Sequence, residues 1–462
     1  MAQLAPDQPR IMGSEMEYGL ISYDKYDSLL MDWPGKDTFR LGLPKSYIQR
    51  SLFLANGARF YIDVGNHPEY ATPECNDLDD LIAHEFAGEA IAYQTFSQIA
   101  AKDNTPVERF RLNKSVVDDN DNYWGYHENY QSAGIEQKAF RENVVPLLAI
   151  HIATRGSLFG AGHAGVQYQT TQKGLAVRTL TDGAANSIDS RPLIDSNRSE
   201  PHADGEEWRR IHITSGDPNM LPWPTWMKFG TTSVVLRMIE AGVNLDDLRL
   251  AQPVEAVHTV SRDTDLKANL SLKNGRNTTA LEIQTELAKR AAKFAESHPL
   301  SDQEMDVIQE WQAACADLQQ DSDLCYGRVE WVTKQTVLAA FTMRNQISYE
   351  SPKLNLPINL WTNLDPNQKG GARKLRNSGL LPKMPTAEAI EYAINHAPAT
   401  RASLRGRVVL ALCKANMQGV VNWAKINISN EDYDLPDPSQ TENPEIEELI
   451  RKILAEAEPA LA

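Results

Sequence analysis

Hydrophobic and polar positions alternate from Ile11 to Ser22, with Glu15, Glu17 and Gly19 on one side and Met16, Tyr18 and Leu20 on the other. The same alternation returns from Arg59 to Gly65, where Arg59, Tyr61 and Asp63 oppose Phe60, Ile62 and Val64. A period of two predicts strands with one buried face. Between Asp77 and Lys102 the apolar positions (Leu78, Leu81, Ile82, Phe86, Ile91, Phe96, Ile99) shift to the 3.6-residue period of a helix. A second helix is predicted from Trp226 to Ala241, stopped by Gly242. Ser301 and Glu304 have the spacing of a capping box ahead of an amphipathic stretch to Gln319. After a Pro- and Asn-rich passage from Ser351 to Pro385, helices are predicted from Ala387 and Arg401. A strand-like VVNWAKINIS and an acidic helix after Pro444 complete the chain. The pattern is α+β, with a large domain over 1–385 and a small C-terminal domain over 386–462.

Charge and composition narrow the function. The 462 residues carry 46 Lys plus Arg against 62 Asp plus Glu, a formal net charge of −16. Broad nucleic-acid binding, which needs a cationic surface to displace counterions, is excluded. The longest strongly apolar run, Val144 to Ala153, is about half a bilayer span, so no membrane helix is expected. The opening MAQLAPDQPR lacks the apolar core of a signal peptide, and export is not expected. Cys75, Cys315, Cys325 and Cys413 form no CxxC and read as reduced thiols of a cytoplasmic protein. No coiled-coil heptad is present, which favours a monomer.

The charged side of the two predicted strands is the most informative feature. Glu15 and Glu17 leave the same face, as do Arg59, Tyr61 and Asp63, and Glu69 follows after the turn-like GNHP. Two readings are open: the solvent side of half-buried strands, or an oxygen-rich site for a hard divalent cation. In the second, a nucleotide triphosphate would share the metal and Arg59 would meet a phosphate. Other signals are weaker. Gly160, Gly162 and Gly165 fit GxGxxG, but the preceding VVPLLAIHIATR reads as a helix, whereas a dinucleotide fingerprint follows a strand. No GxxxxGK[ST] occurs. His127-Glu128-Asn129, His202-x-Asp204 and His212 beside Arg209 and Arg210 are candidate ligands, with a hydrogen-bonded structural role as the simpler reading. Trp423 suits a core position or the flank of a purine.

Four blocks carry a more specific signal: IMGSEMEYG (Ile11 to Gly19), NGARFYIDVGNHPEYATPE (Asn56 to Glu74), GYHENY (Gly125 to Tyr130) and EPHADGEEWRRIHITSGDPNM (Glu200 to Met220). They resemble the Pup ligase/depupylase family. Weaker matches continue through KFGTTSVVLRMIEAG, VEWVTKQ and TRASLRGR to VNWAKINIS. The resemblance implies a glutamine-synthetase-like fold, a curved antiparallel sheet backed by helices, with residues 1–385 as the catalytic domain. It implies an ATP- and Mg2+-dependent ligase, in which ATP phosphorylates the γ-carboxylate of the C-terminal glutamate of Pup. A lysine of a target protein then displaces phosphate to give an isopeptide bond. It further implies metal ligands at Glu15, Tyr61 and Glu69, with Glu17 beside them. ATP contacts fall at Arg59, Thr72 and Trp423, and the general base at Asp63.

The same family contains depupylases, which hydrolyse that bond. Two features favour the ligase: only a modest segment separates Gly19 from Asn56, where depupylases carry a long insertion, and DVGNHPEYAT resembles the ligase form. A carboxylate–amine ligase acting on a small amino acid, and a non-catalytic Pup-binding protein, are further readings. The intact Glu15, Asp63 and Glu69 oppose the last. Departures from the family pattern occur at Leu112 to Val116, at Ser199 with one extra residue before it, and at Ser14 and Met16. Because Pup is acidic and so is this chain, a local cationic groove is expected, with Arg209, Arg210, Arg401 and Arg405 as contributors.

Overall fold

The structure is a computed structural model that describes residues 8–22, 51–63, 67–102, 110–118, 122–165, 167–181, 190–195 and 208–457. In the N-terminal part, strands β1 (Met12–Glu17), β2 (Gly19–Ser22), β3 (Ser51–Phe53), β4 (Arg59–Ile62) and β5 (Pro68–Ala71) precede helix α1 (Leu78–Lys102) and strand β6 (Phe110–Asn113). The predicted strand from Ile11 breaks at Tyr18: β1 pairs with β5, whereas β2 turns away to pair with β6. β3, β4, β5 and β1 are antiparallel neighbours in that order.

Alternation decides which face of these strands is core. Leu52, Phe60, Tyr70 and Met16 stand in one cross-strand row and are all buried. α1 covers this face so closely that a Cβ on Gly88 would lie 2.3 Å from the Tyr70 ring. The helix begins where expected because Asp77 Oδ1 accepts hydrogen bonds from the N–H groups of Asp79 (2.7 Å) and Asp80 (3.0 Å).

The middle of the chain holds β7 (Tyr126–Ala133), α2 (Val145–Thr154), β8 (Ile194–Asp195), β9 (Trp208–Ile213) and five further helices of ten or more residues. These are α3 (Pro222–Glu240), α4 (Pro253–Arg262), α5 (Ala280–Ala295), α6 (Asp302–Gln320) and α7 (Glu330–Asn345). β9 lies between β7 and β8, antiparallel to both. α3 starts four residues before the predicted Trp226, since Pro222 is tolerated in a first helical turn. Every residue of α3 is buried, and its charges are paired internally, Glu240 with Arg10 at 2.7 Å and Arg237 with Glu304 at 2.5 Å. α6 opens with the Ser301–Glu304 capping box.

After Pro385 come α8 (Ala387–Asn395), α9 (Arg401–Ala415), β10 (Val420–Val421), β11 (Lys425–Ile428), β12 (Glu431–Asp434) and α10 (Pro444–Ala457). The expected single strand VVNWAKINIS is instead a hairpin. Asn422 N donates to Lys425 O at 2.8 Å, which leaves Trp423 and Ala424 at the tip. The chain groups into two compact units, Met1–Arg10 with Lys114–Met384, and Ile11–Asn113 with Pro385–Ala462. Among the described residues no helix is long and apolar enough to cross a membrane.

Candidate active site

The metal, nucleotide and base residues implied by the resemblance all belong to the second unit, Ile11–Asn113 with Pro385–Ala462. The face of β1, β5 and β4 opposite α1 carries two polar rows. In one, Glu17, Glu69 and Tyr61 stand directly opposite one another across three strands; in the other, Glu15, Ala71 and Arg59 do so, and Arg59 also faces Phe53 of β3. Asp63 follows β4, its N–H donating to His67 O at 3.0 Å. Carboxylate oxygens of Glu17, Asp63 and Glu69 lie within 4.8 Å of one another. The Arg59 guanidinium rests over the Tyr61 ring at 4.1 Å.

Electrostatics sets this cluster apart from an ordinary strand face. Burial, together with the charges of Glu15, Glu17 and Asp63, pushes the Glu69 carboxyl well above the usual range, although the Tyr61 hydroxyl donates to it. Burial also pushes the Tyr61 phenol up, with Glu69 and Glu15 adding to the effect. Converging carboxylates at this spacing oppose their own ionisation. A hard cation bound by oxygen ligands relieves that repulsion, so the donor set fits magnesium.

The remaining expected residues flank this face. Thr72 has the other strand parity, and its Oγ1 accepts the N–H of Ser14 at 2.9 Å. Trp423 packs edge-on against Phe53 with ring centroids 5.0 Å apart. Arg405 lies over both rings, at 5.1 and 4.9 Å, and donates to Trp423 O at 2.9 Å and Gly57 O at 2.7 Å. Its charge is met by Glu74 at 2.5 Å, which also pairs with Arg401 at 2.7 Å. Burial alone would raise Glu74, but Arg405 and Arg401 outweigh it and hold the carboxyl at about 2. Phe53, Glu74 and Arg405 had no functional reading at the level of sequence as supports of Trp423. Their only signal was position: Glu74 and Arg405 fall in the PEYATPE and TRASLRGR blocks, and Phe53 lies just before the block that begins at Asn56.

Of the four arginines expected to line a cationic groove, three are buried and one, Arg210, is half-buried. Arg401 and Arg405 are buried against Glu74, and Arg209 is buried beneath Phe140 and beside Gln137. Each answers an internal acceptor because a buried guanidinium must be satisfied.

In the other unit the weaker candidates meet neighbours of that unit. Glu128 takes a bidentate pair from Arg155 at 2.6 and 2.8 Å and a hydrogen bond from Tyr130 at 2.6 Å. His212 Nδ1 and Arg210 both meet Asn129 Oδ1, and the His127 and His212 rings are 4.9 Å apart. Gly160 follows the short helix Gly156–Phe159, and Gly162 serves a turn with φ of 66°, its carbonyl accepting from Lys334. The first glycine thus follows a helix, and no dinucleotide fingerprint forms. His202 and Asp204 lie outside the described residues. The four cysteines are free thiols, and burial pushes Cys315 up to about 12 and Cys325 to about 11.

Residues 10–427 match the family of Pup-ligase proteins. The chain is 34% identical to the Pup–protein ligase of Acidimicrobium ferrooxidans over 96% of its own length and 99% of the relative's. It is 32% identical to that of Corynebacterium efficiens over 97% and 95%. Among solved structures, the Pup ligase PafA in complex with Pup superposes with a TM-score of 0.86 at 31% identity, covering 98% of this chain and 93% of that one. PafA in complex with ADP superposes with a TM-score of 0.80 at 30% identity, covering 95% and 96%. With the antiparallel, helix-backed strands already described, these matches establish that the chain belongs to the Pup-ligase family.

Proposed function

We infer that this chain joins Pup, through the γ-carboxylate of its C-terminal glutamate, to lysine side chains of target proteins, with ATP as the driving substrate. The observation that carries the reading is the face of β1, β5 and β4. There, carboxylates, a phenol and an arginine converge in a chain similar end to end to Pup–protein ligases. That solved relatives hold Pup and ADP supports the same two ligands here.

In the first step the γ-phosphoryl group of ATP passes to the γ-carboxylate of Pup, giving an acyl phosphate and ADP. Glu15, Glu17, Tyr61 and Glu69 would hold magnesium, which when bound covers charge on the phosphoryl group. Arg59 meets nucleotide phosphates, and Trp423 offers its ring to the base. Thr72 accepts from Ser14 and has its own O–H to donate to a ligand. In the second step the lysine nitrogen attacks the acyl carbon, the isopeptide bond forms and phosphate leaves. That lysine arrives as an ammonium of ordinary pKa about 10.4. Asp63, beside the carboxylate cluster, takes its proton.

Within the unit of Ile11–Asn113 with Pro385–Ala462, the first segment carries most of this machinery and the second supplies Trp423. Four free thiols suit a reducing compartment, the cytoplasm. The chain acts as a monomer, on proteins and not on nucleic acid or membrane. The test is incubation with ATP, magnesium, Pup ending in glutamate and a lysine-bearing protein, read by mass. A new isopeptide-linked species supports the ligase. Cleavage of a preformed conjugate, with no synthesis, overturns it in favour of a depupylase.

A further inference from the structure

α1 and α8 border a cavity of about 580 Å³ whose lining includes none of the carboxylate-face residues. Its rim combines two kinds of group. The first turn of α1 contributes Asp79 and Asp80, and α8 contributes Tyr392, which is 62% exposed and stacked on His396 at 4.2 Å. Deeper in the cavity lies His84, one turn along α1 from Asp80. It is only 3% exposed, and its Nδ1 has no hydrogen-bond partner. Alanines of α8 and of the connection to α9 form apolar walls.

A buried polar atom without a partner is costly, and natural structures rarely leave one without a reason. Burial depresses the His84 imidazole to about 3, so it is neutral and able to accept a hydrogen bond. Asp80 forms no ion pair among the described residues, and burial with the charges of Asp77 and Asp79 pushes it upward. An acceptor within, carboxylates at the rim and an exposed aromatic ring together recognise a donor-rich cation. The volume lies in the range of small-molecule sites.

We propose that the α1–α8 cavity is a second binding site, specific for the guanidinium or ammonium head of an arginine- or lysine-like alkyl cation. It lies apart from the carboxylate face and owes nothing to the ligase reading. Two sources share the chemistry, a free basic amino acid and a basic side chain of a polypeptide.

Binding is measured by calorimetry on the full chain without nucleotide or Pup, with L-arginine as one probe and a capped Gly-Arg-Gly peptide as the other. Arginine is used because lysine would also address the reaction centre. Saturable binding of either probe is expected. Asp80→Asn should weaken it by roughly tenfold or more, as for loss of a charged hydrogen-bond partner. Tyr392→Ala should weaken it severalfold, and Asp63→Asn should leave it unchanged. A preference for the free amino acid assigns a metabolite, and a preference for the peptide assigns a target segment. No binding of either probe, or binding undiminished in both Asp80→Asn and Tyr392→Ala, overturns the proposal.

Discussion

Glu17 and Glu69 stand directly opposite each other in the antiparallel register of β1 and β5, two carboxylates where cross-strand pairing disfavours like charge. With Asp63 also within 4.8 Å, the folded chain holds a concentration of negative charge that a cation would relieve. Millimolar magnesium should therefore raise the melting temperature, because an ion bound only by the folded state stabilises it by mass action. Glu69→Gln should abolish most of that rise while melting no lower in EDTA than the parent. Thermal melts with and without magnesium check both. A rise that persists in the variant places the ion elsewhere.

Asp63→Asn preserves size and hydrogen-bonding shape but removes the proton acceptor. Conjugation should fall by about 10²- to 10⁴-fold, the usual worth of a positioned general base. ATP affinity should change little, and raising the pH should recover part of the rate by supplying neutral lysine. Single-turnover conjugation across pH, beside nucleotide titration, is the check.

Arg405→Met removes the cation that satisfies Glu74 and anchors Trp423. Breaking one side of a buried pair costs about 3–5 kcal/mol, moderated here by the remaining Arg401. Denaturant unfolding should show a loss at the low end of that range. In the folded fraction the KM for ATP should rise more than kcat falls, since Trp423 is positioned by Arg405 and takes no part in the chemistry. An unchanged KM would separate Trp423 from the nucleotide.

Acid should destabilise this chain through two groups of the same unit. His84 is held at about 3 against an ordinary 6.5, so below about pH 6.5 the unfolded chain binds a proton that the folded one refuses. Stability is thus lost as pH falls from there towards 3. Glu74 is held at about 2 against an ordinary 4.5. Its contribution is complete above 4.5 and is lost as pH falls through the folded value. Urea midpoints should be flat with respect to these groups above neutrality and fall in two stages. His84→Gln should remove the first stage only.

Gly88→Ala tests the packing behind the site. The added methyl meets the buried Tyr70 ring at 2.3 Å, and the ring's hydroxyl is held by Asn56 Nδ2 at 3.1 Å. Overpacking of this kind costs about 1–3 kcal/mol, against a helix-propensity gain of about 1 kcal/mol. A net loss of stability by thermal melting is expected, with reduced magnesium binding if β5 shifts.

The helices were legible because their signals are local. Asp77 capping α1, the Ser301–Glu304 box and the starts at Ala387 and Arg401 all lie within a turn or two of the helix they define. Strand limits were less legible. The break at Tyr18 and the hairpin at Trp423 depend on which partner strand is present, β6 in one case and β11 in the other. Alternation could still assign Glu15, Glu17, Arg59, Tyr61 and Asp63 to faces, since side-chain direction in a strand follows from parity alone.

By itself the sequence determined the residue types of the site, the face that carries them and the family to which they belong. Only the tertiary structure decided which of them meet. Register set Glu17 against Glu69 and Tyr61, and the packing of α9 brought Arg405 across more than 300 residues of chain to Glu74. The fold also buried three of the four arginines expected to greet an acidic partner, Arg209, Arg401 and Arg405. The physical reason is that a charge removed from water must find its counter-charge inside, and sequence spacing does not record which one it finds.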